Sequence, residues 1–526
     1  MVPIICMIIF VSDGTHLPWG DYWMMVDTLF HGDGSTRFAG FLDFQNEHPV
    51  VIAKVLYWLN LRLGDGSNIV LGYVVVLAVA VQLVLINRLL LRSAFRWAER
   101  SLLLILSSAL LFGMGGSWNF TKSMSGAAWL VANLFAVLAI YLRQNDRSWL
   151  AAASAAAATI SYGTGLSAWP AVAVVGMARR PWREWWRELP MLGGAVVGYL
   201  WYQSAVDRSS DFNPSLRQLL SAAFELLGAP LRIDGWVIPV LAALVVAALA
   251  VLALVRTDEE SAPWLGLAAY GMATNLSIAF GRWILIQDDP VSRYHSLAAM
   301  FWIGATATVL VALRGVVTTR WRDSTPSRLR ITTAVAAVAV AAPMLALTWD
   351  ITDDSTPASN AVTRQDLAAV ALRLDLGEDF EWATGWKEDI DMDVLRGHGQ
   401  YPFSSRWNRD CGLLGDSVDT DDMPEAPFGV LNATAPGKLP GGVVLNADVP
   451  DLESIRCVVA VAPDGEVVGA GVLDDSSNFG VHSDGARGFV VVALDDRPSY
   501  RIVVFSSRYP DGAVLETGID AGAVTR

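Results

Sequence analysis

The sequence predicts a polytopic α-helical membrane protein with about 11 transmembrane helices and a C-terminal extracytoplasmic β-sandwich-like domain. Three observations carry this. First, 53% of the 526 residues are hydrophobic and only 17% are charged, with a mean hydropathy of +0.40. A soluble chain carries more charge and shorter apolar runs. Second, residues 350–526 hold 13 Lys/Arg and 31 Asp/Glu, so this tail accounts for −18, while residues 1–349 are slightly basic. Third, the last hundred residues switch from long apolar runs to short β-type runs. A soluble enzyme, a disordered chain and a fibrous repeat are thereby excluded. The acidic tail also argues against a nucleic-acid partner, which needs a basic surface.

The apolar segments run approximately 1–12, 68–90, 101–116, 125–142, 148–160, 164–178, 189–203, 236–255, 263–280, 295–313 and 331–349. Each is judged against the ~20 residues that a crossing helix needs. Several are shorter. Segments 148–160 and 164–178 are separated by Ser161-Tyr162-Gly163-Thr164-Gly165, which reads as a turn at membrane depth. The first segment has no basic flank and no small-residue cleavage site, so it is read as a span with the true start upstream, not as a signal peptide. The 21 Trp residues suit two membrane interfaces.

Loop charges orient these spans. Arg88, Arg92, Arg96 and Arg100 follow the second segment, Arg143 and Arg147 the fourth, and Arg179, Arg180, Arg183 and Arg187 the sixth. Arg314, Arg320, Arg322, Arg328 and Arg330 follow the tenth. If the spans alternate, these loops share one side, which the positive-inside rule makes cytoplasmic. The loop after the eighth span is the weak member, with Arg256 beside Asp258, Glu259 and Glu260. The N-terminus is then cytoplasmic. Loops 13–67, 117–124, 204–235 and 281–294 and the tail are extracytoplasmic. The expected domains are 1–349 in the membrane, a linker with short helices at 350–427, and a β-domain at 428–526.

Within the first outer loop, Val51, Val55, Leu56, Trp58, Leu59 and Leu63 recur at helical spacing, which predicts an amphipathic helix along the interface. Residues 214–231 read the same way. In the tail, runs such as Cys457-Val458-Val459-Ala460-Val461 and Tyr500-Arg501-Ile502-Val503-Val504-Phe505 are separated by Pro463-Asp464-Gly465 and Pro510-Asp511-Gly512 turns. Such spacing predicts a small sandwich, able to bind glycan or to pack on the outer loops. Outside the cytoplasm, Cys411 and Cys457 are placed to form a disulfide. Two unpaired thiols are the alternative.

The chemistry-bearing residues cluster in the outer loops. Trp19-Gly20-Asp21-Tyr22-Trp23 follows the first span, and Phe44-Gln45-Asn46-Glu47-His48-Pro49 precedes the amphipathic helix. Carboxylates beside an apolar surface have raised pKa values and serve as general bases. They also hold divalent cations against phosphate. Asp21, Glu47 and His48 are therefore the catalytic candidates, ahead of Asp13, Asp27 and Asp43. Asp21 and Glu47 are the candidate ligands if a cation such as Mg or Mn takes part. In loop 281–294, Arg282 and Arg293 flank Asp288 and Asp289, with Tyr294 and His295 next. A guanidinium fork pairs well with phosphate, so Arg282, Arg293 and Tyr294 are candidate phosphate contacts, with Lys122 a further cation. The plainer alternative is an Arg–Asp pair that only shapes the loop.

This arrangement resembles the GT-C class of integral membrane glycosyltransferases. More narrowly, Gly20-Asp21-Tyr22-Trp23 and Asn46-Glu47-His48 resemble a bacterial GT-C-like group that reads Asp-Asp-Trp and Asn-Glu-His-Arg. Gly163-Thr164-Gly165-Leu166, Trp169-Pro170 and Ser292-Arg293-Tyr294 also fit. Gly20 replaces one acid, which weakens a two-carboxylate metal site, and Pro49 removes a basic phosphate contact. The resemblance implies a polyprenyl-phosphate-linked sugar donor and an envelope glycan or lipid acceptor. No Walker loop or dinucleotide fingerprint occurs, and the cytoplasmic loops are too small for a nucleotide-sugar site. The rival expectations are a transporter or flippase of a lipid-linked substrate, and a non-catalytic membrane scaffold with a glycan-binding β-domain.

Overall fold

Long uninterrupted apolar runs fold as long helices, because a helix satisfies every backbone polar group within the segment. The computed structural model describes residues 2–12, 22–45, 48–64, 66–121, 123–205, 215–228, 230, 259–288, 294–320, 394, 398, 417–425, 430–436, 443–448, 455–474, 488–493 and 499–520. The chain divides into two compact units, one of residues 1–11, 41–56 and 71–353, the other of residues 12–40, 57–70 and 354–526.

The described helices are α1 (Val2–Ser12), α2 (Tyr22–Leu29), α3 (Val51–Leu63), α4 (Asn68–Arg92), α5 (Trp97–Leu111), α6 (Trp118–Thr121) and α7 (Ser123–Gln144). They continue with α8 (Ser148–Ser161), α9 (Ala168–Ala178), α10 (Leu189–Ala205), α11 (Leu216–Gly228), α12 (Ala262–Asp288) and α13 (His295–Arg320). Among the described residues, three segments are long and apolar enough to cross a membrane: Asn68–Arg92, Ser123–Gln144 and His295–Arg314. Val2–Ser12, Ser148–Ser161 and Gly163–Ala178 are apolar but shorter. The eleven expected spans are thus matched only in part. Segments 236–255 and 331–349 lie outside the described residues.

Small residues and side-chain hydrogen bonds join the helices of the first unit. A Cβ at Gly271 would run into the Phe301 backbone, and one at Gly304 into Trp264 and Ala268, so these two glycines let α12 and α13 touch. Tyr270 donates to Asn133 Oδ1 at 2.7 Å, tying α12 to α7. Gln82 of α4 donates to the Leu130 carbonyl at 2.7 Å, and Trp302 of α13 to the Leu227 carbonyl at 2.7 Å. At the N-terminus of α5, the Arg96 amide donates to the Glu99 side chain at 2.8 Å, which satisfies that amide where the helix starts at Trp97.

One end of this unit carries an ionic network. Buried Glu188 pairs with both Arg143 and Arg180. Arg179 bridges Asp146 and Glu259, each at 2.8 Å. Arg314 pairs with Glu260. The acids of the loop before α12, which dilute its positive charge in sequence, are therefore counter-ions for arginines of α9 and α13.

Between α8 and α9 the chain makes the expected turn as a buried 3-10 helix, Gly163–Ser167. Before α3 it forms a two-stranded antiparallel hairpin, β1 (Phe44–Gln45) with β2 (His48–Pro49), in which Gln45 pairs with His48. Helix α3 is amphipathic as expected. Val55, Leu59 and Leu63 are exposed along one line, while Ala53, Lys54, Tyr57 and Leu61 are buried along another.

The second unit holds β3 (Val430–Pro436), β4 (Val443–Asp448), β5 (Ile455–Val461), β6 (Val467–Asp474), β7 (Gly488–Ala493), β8 (Ser499–Ser506) and β9 (Ala513–Asp520). The expected β-domain is matched by strands that pair as one antiparallel ladder in the order β3-β4-β7-β6-β5-β8-β9, whose two edge strands also approach each other. Its centre is Val459, Val461, Val467 and Val503, with Val418, Met423 and Phe505 packed around them. Gly465 and Gly512 adopt positive φ in the two expected Pro-Asp-Gly turns. The same unit contains residues 12–40 and 57–70, in which Phe30 pairs with Thr36 and Tyr22 stacks edge-on against Tyr57 at 5.2 Å.

Candidate functional site

The site in the first unit is built around His48. The short hairpin presents His48 at its second strand, where two flanking elements hold the ring. Lys54, one turn into α3, is fully buried and donates to the Asp43 carbonyl at 2.7 Å, which anchors the hairpin to the helix that follows it. The imidazole lies 4.3 Å from the Tyr162 ring and stacks on Tyr202 with centroids 6.1 Å apart. Tyr202 Oη is 3.3 Å from His48 Nδ1. Phe44, also on the hairpin, packs edge-on against Trp201 at 5.2 Å.

Gly163 makes this approach feasible. A Cβ there would stand 2.9 Å from His48 Nδ1, closer than such contacts come without displacement. Beyond Tyr162 the aromatic series continues. Trp129 of α7 lies 4.9 Å from Tyr162 and 4.8 Å from Tyr294, which it stacks at 23°. Tyr294 opens α13. The next residue, His295, is buried, and its Nε2 lies 3.0 Å from the Leu110 carbonyl, so it serves the α5–α13 contact.

Arg282 adds a positive charge to the field at His48. Helix α12 is broken at this residue, whose φ of −143° and ψ of 23° leave the helical range. Burial lowers the His48 pKa to about 3, and the Arg282 charge adds to the shift. An imidazole in that setting is neutral at any physiological pH. The result is a neutral imidazole in the field of Arg282, packed against the rings of Tyr162 and Tyr202.

Three of the expected site residues are thus described, and they fall in one region: His48, Arg282 and Tyr294, linked through Tyr162, Trp129 and the field at His48. Asp21, Glu47, Arg293 and Lys122 lie outside the described residues. So does Cys411, and of Cys457 only the strand position is described. Among the described residues no three His, Cys, Asp or Glu side chains converge as cation ligands. His48 is a poor seed for such a site, since Nδ1 faces Tyr202 and its surroundings carry positive charge.

Sequence reading missed Tyr202, Tyr162, Trp129, Gly163 and Lys54 as parts of this site. Aromatic residues inside apolar runs carry no mark that separates a site wall from lipid-facing packing. Gly163 stood out as a turn residue, and its closeness to His48 is a tertiary fact. No family model matches the sequence, and no curated protein or solved structure matches it.

Proposed function

We propose that the chain is a GT-C-type glycosyltransferase of a bacterial cytoplasmic membrane. It moves a sugar from a polyprenyl-phosphate-linked donor to an extracytoplasmic envelope glycan or lipid. The observation that carries this reading is a neutral His48 held by Tyr202 within the electrostatic reach of Arg282, which sits at the break in α12. A leaving phosphate gathers negative charge as the bond to the sugar breaks. A fixed guanidinium with neutral donors around it stabilises that charge more in the transition state than in the ground state.

In this scheme the acceptor hydroxyl oxygen bonds to the anomeric carbon. The bond from that carbon to the phosphate oxygen breaks, and its electron pair leaves with the polyprenyl phosphate. The hydroxyl proton passes to Asp21 or Glu47. Arg282 and Arg293 hold the leaving phosphate, and His48 donates to it through Nε2. A divalent cation, where present, would add charge stabilisation at the phosphate; no residue role here depends on it.

The transporter alternative needs polar groups inside the spans that are free to act on cargo. Gln82, Asn133, Tyr270 and Asn275 each make a bond within or between helices, while Gln82 Oε1, Asn133 Nδ2 and Asn275 Oδ1 are buried without a partner among the described residues. The described spans carry no charged group beside these side chains, which favours the enzyme reading. Purified protein is assayed for transfer of radiolabelled sugar from a panel of polyprenyl-phosphate donors, beside Arg282→Gln, Asp21→Ala and Glu47→Ala. Transfer by wild type with a loss of about 100-fold in Arg282→Gln is expected for a removed oxyanion contact. Folded wild-type protein that transfers no sugar from any donor sinks the proposal.

A further inference from the structure

A second surface of the first unit has a chemistry of its own. After α9 the chain forms a 3-10 helix, Trp182–Glu188, with the sequence Trp-Arg-Glu-Trp-Trp-Arg-Glu. Residues three apart are eclipsed in this tight helix, and Trp185 and Glu188 both turn inward. Trp185 Nε1 donates to the Met177 carbonyl at 3.0 Å and contacts the Arg180 carbonyl at 3.3 Å. Glu188 is about 1% exposed and pairs with Arg143 and Arg180. Gly176 leaves the room that the Glu188 carboxyl occupies. The segment is therefore bolted to α7 and α9 from beneath.

Its outer face is the reverse. Trp182 is 71% exposed and Trp186 63%. Each carries a guanidinium at its ring, Arg183 at 5.6 Å from Trp182 and Arg187 at 5.7 Å from Trp186. Arg187 also pairs with Glu184 at 2.9 Å. Arg183 is exposed, and among the described residues it has no carboxylate partner. Two neighbouring exposed indoles, each with a guanidinium held at its ring, form a combined apolar and cationic surface of the kind that marks an interaction site.

What covers it follows from the next helix. Helix α10 has no charged residue from Leu189 to Ala205. Leu189, Val196, Val197, Tyr199 and Leu200 are all more than half or close to half exposed. The Trp/Arg face thus sits where a charge-free exposed helix surface begins, the position of the headgroup layer. Trp rings suit that layer, and Arg there meets phosphate.

We propose that the Trp182–Glu188 segment is a binding site for the headgroup of an anionic phospholipid, with Arg183 and Arg187 on the phosphate and Trp182 and Trp186 seated beside its glycerol region. The inference rests on the membrane reading but is independent of the transferase reading.

The test uses full-length protein purified in dodecyl maltoside. Thermal unfolding is followed while dioleoyl-phosphatidylglycerol, dioleoyl-phosphatidylcholine or soluble glycerol phosphate is added. Retained lipid is counted in parallel by native mass spectrometry. Wild type is expected to be stabilised by phosphatidylglycerol at concentrations ~10-fold below those needed for phosphatidylcholine, a preference of about 1.4 kcal/mol. The doubly substituted Arg183→Gln, Arg187→Gln protein should lose the preference yet unfold at the wild-type temperature without lipid, since both side chains are exposed. Arg88→Gln, which removes an exposed arginine elsewhere, should keep it. Equal response to the two lipids, an equal response to glycerol phosphate, or loss of preference in Arg88→Gln as well overturns the assignment. Protein that stays folded and monodisperse without detergent fails the membrane reading itself, a different result.

Discussion

Tyr202 Oη stands 3.3 Å from His48 Nδ1, and the two rings are nearly parallel, 27° apart. The proposed transfer needs the tautomer in which the hydroxyl donates to Nδ1 and the imidazole proton sits on Nε2, the nitrogen turned from Tyr202. Loss of such a bond costs about 1 kcal/mol, or roughly a five- to tenfold change in rate. Tyr202→Phe is therefore expected to lower sugar transfer by that factor while keeping the stacked ring. The drop should appear in kcat more than in KM, since the bond orients a donor to the leaving group. Unchanged kcat in Tyr202→Phe would remove the tautomer argument.

The same geometry fixes a pH response. Burial and then the Arg282 charge lower the His48 pKa to about 3, far below the ordinary imidazole value of about 6.5. The folded-state pKa is depressed, so the neutral form persists as pH falls from 8 to 5. Transfer should show no inflection near pH 6.5 that His48→Gln abolishes. Such an inflection, seen in the wild type and absent in the variant, would mean that His48 titrates in the working range.

Gly163 offers a steric test of the same site. A Cβ at that position meets His48 Nδ1 at 2.9 Å, with Tyr202 at 3.5 Å. Gly163→Ala should push the imidazole off Tyr202, and overpacking of this kind costs about 1–3 kcal/mol. Transfer is expected to fall at least as far as in Tyr202→Phe. Combining the two substitutions should give less than the product of their effects, because both act on one ring. Full additivity would place Gly163 outside the His48 contact.

Glu188 carries the largest stability effect. It is buried between Arg143 and Arg180, and removing one partner of a buried pair costs about 3–5 kcal/mol. Glu188→Leu should lower the unfolding temperature measured in detergent. The double substitution Arg143→Met, Glu188→Leu should recover part of that loss, because it leaves one fewer uncompensated cation. A double variant less stable than the single one would show that Arg143 is held by other contacts.

How far the sequence reveals this molecule differs between its parts. The expected segments 68–90, 125–142 and 295–313 agree with Asn68–Arg92, Ser123–Gln144 and His295–Arg314 to within a few residues, because long apolar runs admit no other local structure. The 101–116 run folds as Trp97–Leu111 instead, since the Glu99 side chain takes the Arg96 amide at the start and Gly113 follows the end. The strands of the tail are legible from their turn residues. Their single-ladder order is not, because strand order is set by pairing between distant segments. In the site, His48, Arg282 and Tyr294 announce themselves as polar residues at the edges of apolar runs. Tyr202 and Trp129 do not, and Lys54 is hidden within an amphipathic pattern that gives it no reason to be buried.

The second unit supplies a pH-dependent contact of the opposite kind. The His398 ring lies 4.7 Å from the Phe30 ring, and its Nδ1 is 3.3 Å from Arg62 Nη1. Arg62 in turn donates to Thr36 at 3.2 Å, and Trp58 donates to the same hydroxyl at 3.1 Å. Gly34, at a φ of 77°, passes beneath the imidazole, where a Cβ would stand 3.2 Å from Nε2. Burial and then the Arg62 charge lower the His398 pKa. The titratable side chains of the adjoining turn are Asp33, whose carboxyl is lowered by its bonds to Ser35, and His31. The contact therefore contributes fully above the ordinary imidazole pKa of about 6.5. It is lost as pH falls below that value and through the depressed one, where a charged ring would face Arg62. Hydrogen exchange of residues 30–37 should speed up relative to the β-sheet between pH 7 and pH 5. In Arg62→Gln the His398 pKa rises toward its ordinary value, so the acid-induced loss should shrink. His398→Phe, which keeps the ring and removes the titration, should abolish it. Exchange in these residues that depends on pH in the same way in all three proteins would show that His398 does not hold the loop.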